Sequence, residues 1–79
     1  MTLPAPKERY ERLRALLVKA REDSGLTQVE VCERLGRPQS FLSKIERGVR
    51  SLDVIEFIEI ARAIGSDPSA LIRKLASDK

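Results

Sequence analysis

Two short helical segments, at about 27–35 and 38–47, meet across Gly36 and Arg37 alone, and no other feature of the chain limits its fold as tightly. A joint that short leaves no room for an ordinary antiparallel hairpin, so the two helices must cross steeply, as in a helix-turn-helix. Both segments carry their own punctuation. Thr27 stands at an N-cap position with Glu30 three residues on, a capping box, and Leu26 and Val31 are placed for a hydrophobic staple. The inward face of this helix 2 is then Val31, Cys32 and Leu35, and Gly36 ends it. Helix 3 opens on Pro38, whose missing N–H costs nothing in a first turn. It turns Leu42 and Ile45 inward and is closed by Gly48.

The same grammar divides the rest of the chain. Helix 1 spans about 7–23, with Leu13, Leu17 and Ala20 on one stripe, Leu16 widening it, and Gly25 as its stop. Helix 4 is capped by Asp53 with Glu56 completing the box. Leu52 is placed to staple to Phe57, and Val54, Phe57, Ile58, Ala61 and Ile64 form the inner face up to Gly65. Helix 5 opens with Asp67-Pro68 and carries Leu71, Ile72 and Leu75. No alternating run reads as a strand. The expectation is an all-α, five-helix domain over 7–76, with a tail at 1–6 containing Pro4 and Pro6 and a second tail at 77–79. At 79 residues nothing is left over for a sensor or oligomerisation module.

Composition removes several function classes. There is no His, and Cys32 is the single cysteine, so His-based acid–base catalysis, Cys/His metal sites and intrachain disulfides are all excluded. Cys32 reads as a small buried residue that lets helix 3 approach helix 2. The carboxylates are dispersed or used as caps, and a small helical chain offers little concave pocket. The chain is therefore expected to be no enzyme and to need no cofactor or metal. No apolar run approaches the ~20 residues of a membrane span, no signal peptide begins the chain, and a lone thiol suits a reducing compartment. A cytoplasmic protein is expected.

The outer side of helix 3 is too polar to be explained by packing. With Leu42 and Ile45 inward, Gln39, Ser40, Ser43, Lys44 and Arg47 fall on or near the open side. Gln pairs bidentately with adenine, Lys reaches guanine acceptors, and Ser bonds either base type. Beside a helix-turn-helix corner, and with a net charge of +3, this set points to the major groove of double-stranded DNA. Single-strand or RNA binding is disfavoured, because its stacking platforms need aromatics and the chain has only Tyr10, Phe41 and Phe57.

Residues 13–65 resemble the lambda-repressor/Cro-like, or XRE, family. The resemblance rests on the Leu26-Thr27-Gln28 opening, the Leu35-Gly36 corner, and Pro38-Gln39-Ser40 through Ile45-Glu46-Arg47-Gly48. It implies a lambda-repressor-like DNA-binding domain in which Gln28 holds a backbone phosphate and braces Gln39, Gln39 reads an adenine, and Ser40 is a second base reader. It also implies an ion pair between Arg21 and Glu46. If partly buried, breaking that pair costs ~3–5 kcal/mol; if exposed, ~0–1 kcal/mol. The sequence departs from the family at Arg37-Pro38, where a small capping residue is common. Arg37 either reaches a phosphate or is solvated. Phe41 either packs on the DNA or tucks against helix 4.

Affinity would come largely from phosphate contacts and selectivity from base contacts. The N-terminus of helix 2, with Thr27 and Gln28, is suited to a phosphate, and Arg47 and Arg50 are placed for a neighbouring one. The resemblance implies a homodimer on a two-fold-symmetric operator. Leu71, Ile72 and Leu75 of helix 5 are the candidate dimerisation surface, or else pack on helix 1 within the monomer. The rival reading is a protein-interaction module of the same fold, such as an antitoxin whose partner is a toxin.

Overall fold

The computed structural model describes residues 6–77. The expected N-terminal tail lies outside the described residues except for Pro6, which begins the first helix, and of the expected C-terminal tail only Ser77 is described. The five helices are α1 (Pro6–Asp23), α2 (Gln28–Leu35), α3 (Gln39–Glu46), α4 (Val54–Ile64) and α5 (Pro68–Ser77). No strand occurs among the described residues.

The caps of α2 and α4 form as the sequence dictates. The Thr27 hydroxyl accepts the Glu30 N–H at 3.1 Å while the Glu30 carboxylate accepts the Thr27 N–H at 2.9 Å. Asp53 and Glu56 repeat the exchange at 2.8 and 3.0 Å. Each such cap stabilises its helix by ~1 kcal/mol. The corner itself depends on Gly36. Its φ of +69° is left-handed backbone that a side chain resists, and it allows the Arg37 N–H to reach back to the Cys32 carbonyl at 3.0 Å.

Pro38 departs from expectation. It stands before α3 as the N-cap residue, with ψ of 153°, and not inside the first turn. Proline has no side-chain acceptor, so no side chain caps α3. The helix starts at Gln39 and ends one residue earlier than expected, with Arg47 as its C-cap.

Every helix contributes to one core. Leu17 of α1, Val31 of α2, Leu42 and Ile45 of α3, and Ile60 of α4 are almost wholly buried, and Leu71 of α5 joins them. Cys32 fulfils its packing role: it is buried, with Sγ 3.9 Å from the Gln39 carbonyl where α2 and α3 approach. The ends of α2 and α4 are tied by Arg34, whose Nη1 donates to the Ala63 carbonyl at 2.7 Å.

The inner face of α4 needs correction. Val54, expected inside, is 72 % exposed, while Ile60 is fully buried. The inward row is Phe57, Ile60, Ala61 and Ile64, at i, i+3, i+4 and i+7. Val54 lies on the same row but in the first turn, and helical side chains lean toward the N-terminus, which carries this one past the edge of the core. Phe41 of α3 is a second addition to the inside, at 8 % exposure.

Candidate nucleic-acid interface

α3 turns Phe41, Leu42 and Ile45 into the core and leaves Gln39, Ser40 and Lys44 exposed, with Ser43 half-buried and Arg47 exposed just beyond the helix end. The exposed residues recur at one-turn spacing, so they form one polar stripe on an otherwise packed helix.

That stripe is tied to the rest of the protein at its first residue. Arg21, late in α1, donates from Nε to Glu46 Oε2 at 2.7 Å and from Nη2 to Oε1 at 3.0 Å. Its Nη1 donates to the Leu26 carbonyl at 2.9 Å, just before α2. Glu46 Oε1 also accepts Nε2 of Gln28 at 2.7 Å, and Gln28 Oε1 in turn accepts Nε2 of Gln39 at 3.3 Å. The direction of this relay is fixed by chemistry. An ionised carboxylate only accepts, so Gln28 must offer Glu46 its amide N–H and is left with its oxygen for Gln39. Gln39 retains its carbonyl oxygen and a second N–H, the donor–acceptor pair an adenine edge requires. The ion pair is largely enclosed, with 14 % of the Arg21 and 8 % of the Glu46 side chain exposed. The structure thus brings Arg21, Gln28, Gln39 and Glu46 into one network spanning three helices.

A second cluster flanks α3 on the α4 side. The guanidinium groups of Arg37 and Arg50 lie over the Phe41 ring, 4.3 and 4.8 Å from its centre. Arg50 donates to both oxygens of Glu56 at 3.0 and 2.9 Å and to the Ser51 carbonyl at 3.0 Å. Arg37 Nη2 lies 3.8 Å from Glu56. The Arg50 hydrogen bonds, with the Asp53 N–H next, hold the Glu56 carboxyl at about 2, far below its ordinary 4.5. Phe41, left open between packing on DNA and tucking inward, is buried at 8 % exposure and serves as a platform for two cations. Arg37 stays partly exposed over that ring. Arg50 makes three hydrogen bonds within the chain, to Glu56 and the Ser51 carbonyl.

Sequence reasoning read Glu56 as a cap and missed it as the anchor of two arginines. The available signal was Arg37 and Phe41 at i, i+4 across the start of α3; the approach of Arg50 depends on the turn after α3. On α5, Leu71 was expected on a dimerisation surface but is 6 % exposed and belongs to the monomer core. The fourfold step from Leu71 to Leu75 leaves Leu75 half-buried, and Ile72 is 47 % exposed. Ile72 and Leu75 line an apolar cleft of about 490 Å³ with Leu13, Val54, Phe57 and Ile58. No group of His, Cys, Asp or Glu among the described residues is arranged to hold a metal ion, and none of their helices is long and apolar enough to cross a membrane.

Comparison with known proteins agrees with this geometry. Residues 17–71 match the family described as Helix-turn-helix. An "Uncharacterized HTH-type transcriptional regulator y4dJ" from Sinorhizobium fredii (strain NBRC 101917 / NGR234) is 47 % identical over 47 residues, 60 % of this chain and 61 % of the relative. The chain thus matches about three fifths of that relative's length. Among solved structures, an "XRE-family like protein" from Pseudomonas syringae pv. tomato str. DC3000 has a TM-score of 0.88 and 54 % identity, covering 90 % of this chain and 87 % of the other. The "clp gene regulator ClgR" from C. glutamicum has a TM-score of 0.77 and 26 % identity, covering 87 % of this chain and 90 % of the other. The matched family model spans the core from Leu17 to Leu71, including both helices of the corner and all four residues of the Gln39 relay, and the chain belongs to the XRE family of helix-turn-helix proteins.

Proposed function

We propose that the protein is a DNA-binding transcription regulator that reads the major groove with α3, as a homodimer on a two-fold-symmetric operator. The observation that carries this reading is the relay from Glu46 through Gln28 to Gln39. An exposed amide gains nothing in stability from being held this way, whereas a base reader gains selectivity from being fixed in advance. Ser40, Ser43 and Lys44 follow Gln39 into the groove. Thr27, Gln28 and Arg47 meet phosphates, and Arg37, stacked on Phe41, stands beside them at the start of α3. A second copy covers Ile72, Leu75 and the cleft they line. The site of action is the cytoplasm, where the DNA is.

In-vitro selection from random duplex DNA at fixed moderate salt, repeated with Gln39→Ala, tests the reading. A two-fold-symmetric motif that loses one base preference in the variant supports dimeric readout by α3. Weak, salt-sensitive binding without an enriched motif rejects it and favours an interaction module whose partner is a protein, such as a toxin, seated on the Ile72 surface. Ile72→Asp separates the dimer from the reader, since it leaves α3 untouched and halves the solution mass of a dimer.

A further inference from the structure

A cleft of about 340 Å³ lies between the first half of α1 and the turn that follows α3, lined by Lys7, Tyr10, Arg14, Gly48, Arg50 and Ser51. Lys7, Tyr10 and Arg14 are spaced i, i+3, i+7 and share one face of α1. No carboxylate lines the cleft. Arg50 stands at its edge with its charge balanced by Glu56, to which it donates twice, and with a third hydrogen bond to the Ser51 carbonyl.

Arg14 is the unusual member. It is half-buried, yet among the described residues it has neither a carboxylate partner nor a hydrogen-bond acceptor. Its guanidinium lies against the backbone of Gly48, where a Cβ would come within 2.8 Å of Cζ and 2.9 Å of Nε. The left-handed φ of +78° at Gly48 also favours glycine. The turn therefore accommodates a cation that the fold does not neutralise. A partly desolvated charge without a partner costs free energy in the unliganded protein; by contrast, Arg21 and Arg50 have carboxylate partners, and Arg34 donates to the Ala63 carbonyl. A missing counter-charge in a cation-lined cleft describes a site for an anion with several acceptor oxygens, and a phosphate matches the guanidinium fork best.

We infer that this cleft binds a backbone phosphate of duplex DNA, with Arg14 and Lys7 as its cationic ligands and the Tyr10 and Ser51 hydroxyls as neutral donors. The inference rests on the proposed reading of α3. Gly48 directly follows Arg47, so the cleft adjoins the C-terminal end of the helix placed in the groove. The DNA footprint then extends from the helix-turn-helix onto α1, and Arg14 contributes affinity without sequence preference.

The test is the salt dependence of binding, measured for the selected duplex and a random one, with the full chain, Arg14→Gln and Lys7→Gln. Each phosphate contact contributes about 0.9 to the slope of log K against log salt. Arg14→Gln is expected to lower the slope by about 1 and to weaken both duplexes by the same factor, leaving the base preferences intact. Lys7 is exposed, so its substitution reports on the cleft even if Arg14→Gln disturbs folding; its slope is expected to fall likewise. Unchanged slopes in both variants, with Gln39→Ala still altering base preference, overturn the cleft and leave the α3 reading standing. Failure of the unaltered protein to bind any duplex overturns both. A titration with inorganic phosphate distinguishes the remaining source. If unaltered protein binds it, Arg14→Gln does not, and the slopes are equal, the site serves a small phosphorylated molecule and the DNA assignment falls.

Discussion

Arg21 and Glu46, 25 positions apart, meet through two parallel hydrogen bonds of 2.7 and 3.0 Å in a setting that leaves little of either side chain exposed. The pair joins the end of α1 to the end of α3, and the third arginine bond, to the Leu26 carbonyl, ties in the entry to α2. Replacing Arg21 strands a carboxylate with only the Gln28 amide for company. Arg21→Met is expected to lower the unfolding free energy by about 3 kcal/mol, the low end of the range for breaking a buried pair. Urea denaturation measures it, and the Arg21→Met/Glu46→Met double variant should recover part of the loss because no stranded charge remains.

Gln28 transmits this anchoring to the exposed face. Gln28→Ala removes the acceptor that holds Gln39 and the donor that Glu46 accepts. Discrimination at the base read by Gln39 is expected to fall by ~1–3 kcal/mol, the value of one bidentate contact. The double variant Gln28→Ala/Gln39→Ala should be little worse than Gln39→Ala alone at that base, since the two residues act as a unit. Competition binding on single-base variants of the selected site reads this directly. Additive losses would show that Gln28 contacts that base independently.

The corner was legible in the sequence because its signals are local. Thr27, Glu30, Gly36, Asp53 and Glu56 act on backbone within a few residues, so their spacing alone specifies the ends of α2 and α4. The membership of the relay was legible through family resemblance, while its connectivity required the fold: only the steep crossing of α2 and α3 sets Gln28 between Glu46 and Gln39. What escaped sequence reasoning involves contacts of longer range. Phe41 was ambiguous because its cover is supplied by Arg37 and by Arg50, which returns from beyond Gly48. Leu71 was ambiguous because an apolar stripe on a last helix reads the same whether it faces its own core or a second copy. Val54 misled because the helical period carries no information about where a core ends along the axis.

Glu56 makes stability depend on pH in a defined window. Its carboxyl is held at about 2, against an ordinary 4.5, first by the Arg50 hydrogen bonds. A group with a depressed folded-state value stabilises the fold above its unfolded value and loses that contribution as pH falls toward the folded one. The stabilisation is therefore complete above about 4.5 and drains away as pH approaches 2. Glu56→Gln should be less stable than the unaltered protein at neutral pH, and the difference between the two should shrink steadily through that window. Thermal midpoints of both proteins across it provide the check; a constant difference would mean that the Arg50–Glu56 pair contributes through shape and not through charge.

The phase of α4 gives the sharpest contrast between two apolar residues of one helix. Ile60 is fully buried among residues of the core, and Val54 is 72 % exposed in the first turn. Ile60→Ala removes buried methyl groups and leaves a cavity, and it is expected to cost ~2–5 kcal/mol. Val54→Ala removes only exposed surface and substitutes a better helix former, so the monomer should change by no more than ~0.5 kcal/mol. Val54 also lines the apolar cleft beside Ile72. If a second copy covers that cleft, the Val54→Ala penalty must grow with protein concentration, since it then weakens association and not the fold. Denaturation of both variants at low and high concentration therefore measures the core register of α4 and the location of the dimer surface together: a large, concentration-independent loss for Val54→Ala would contradict both.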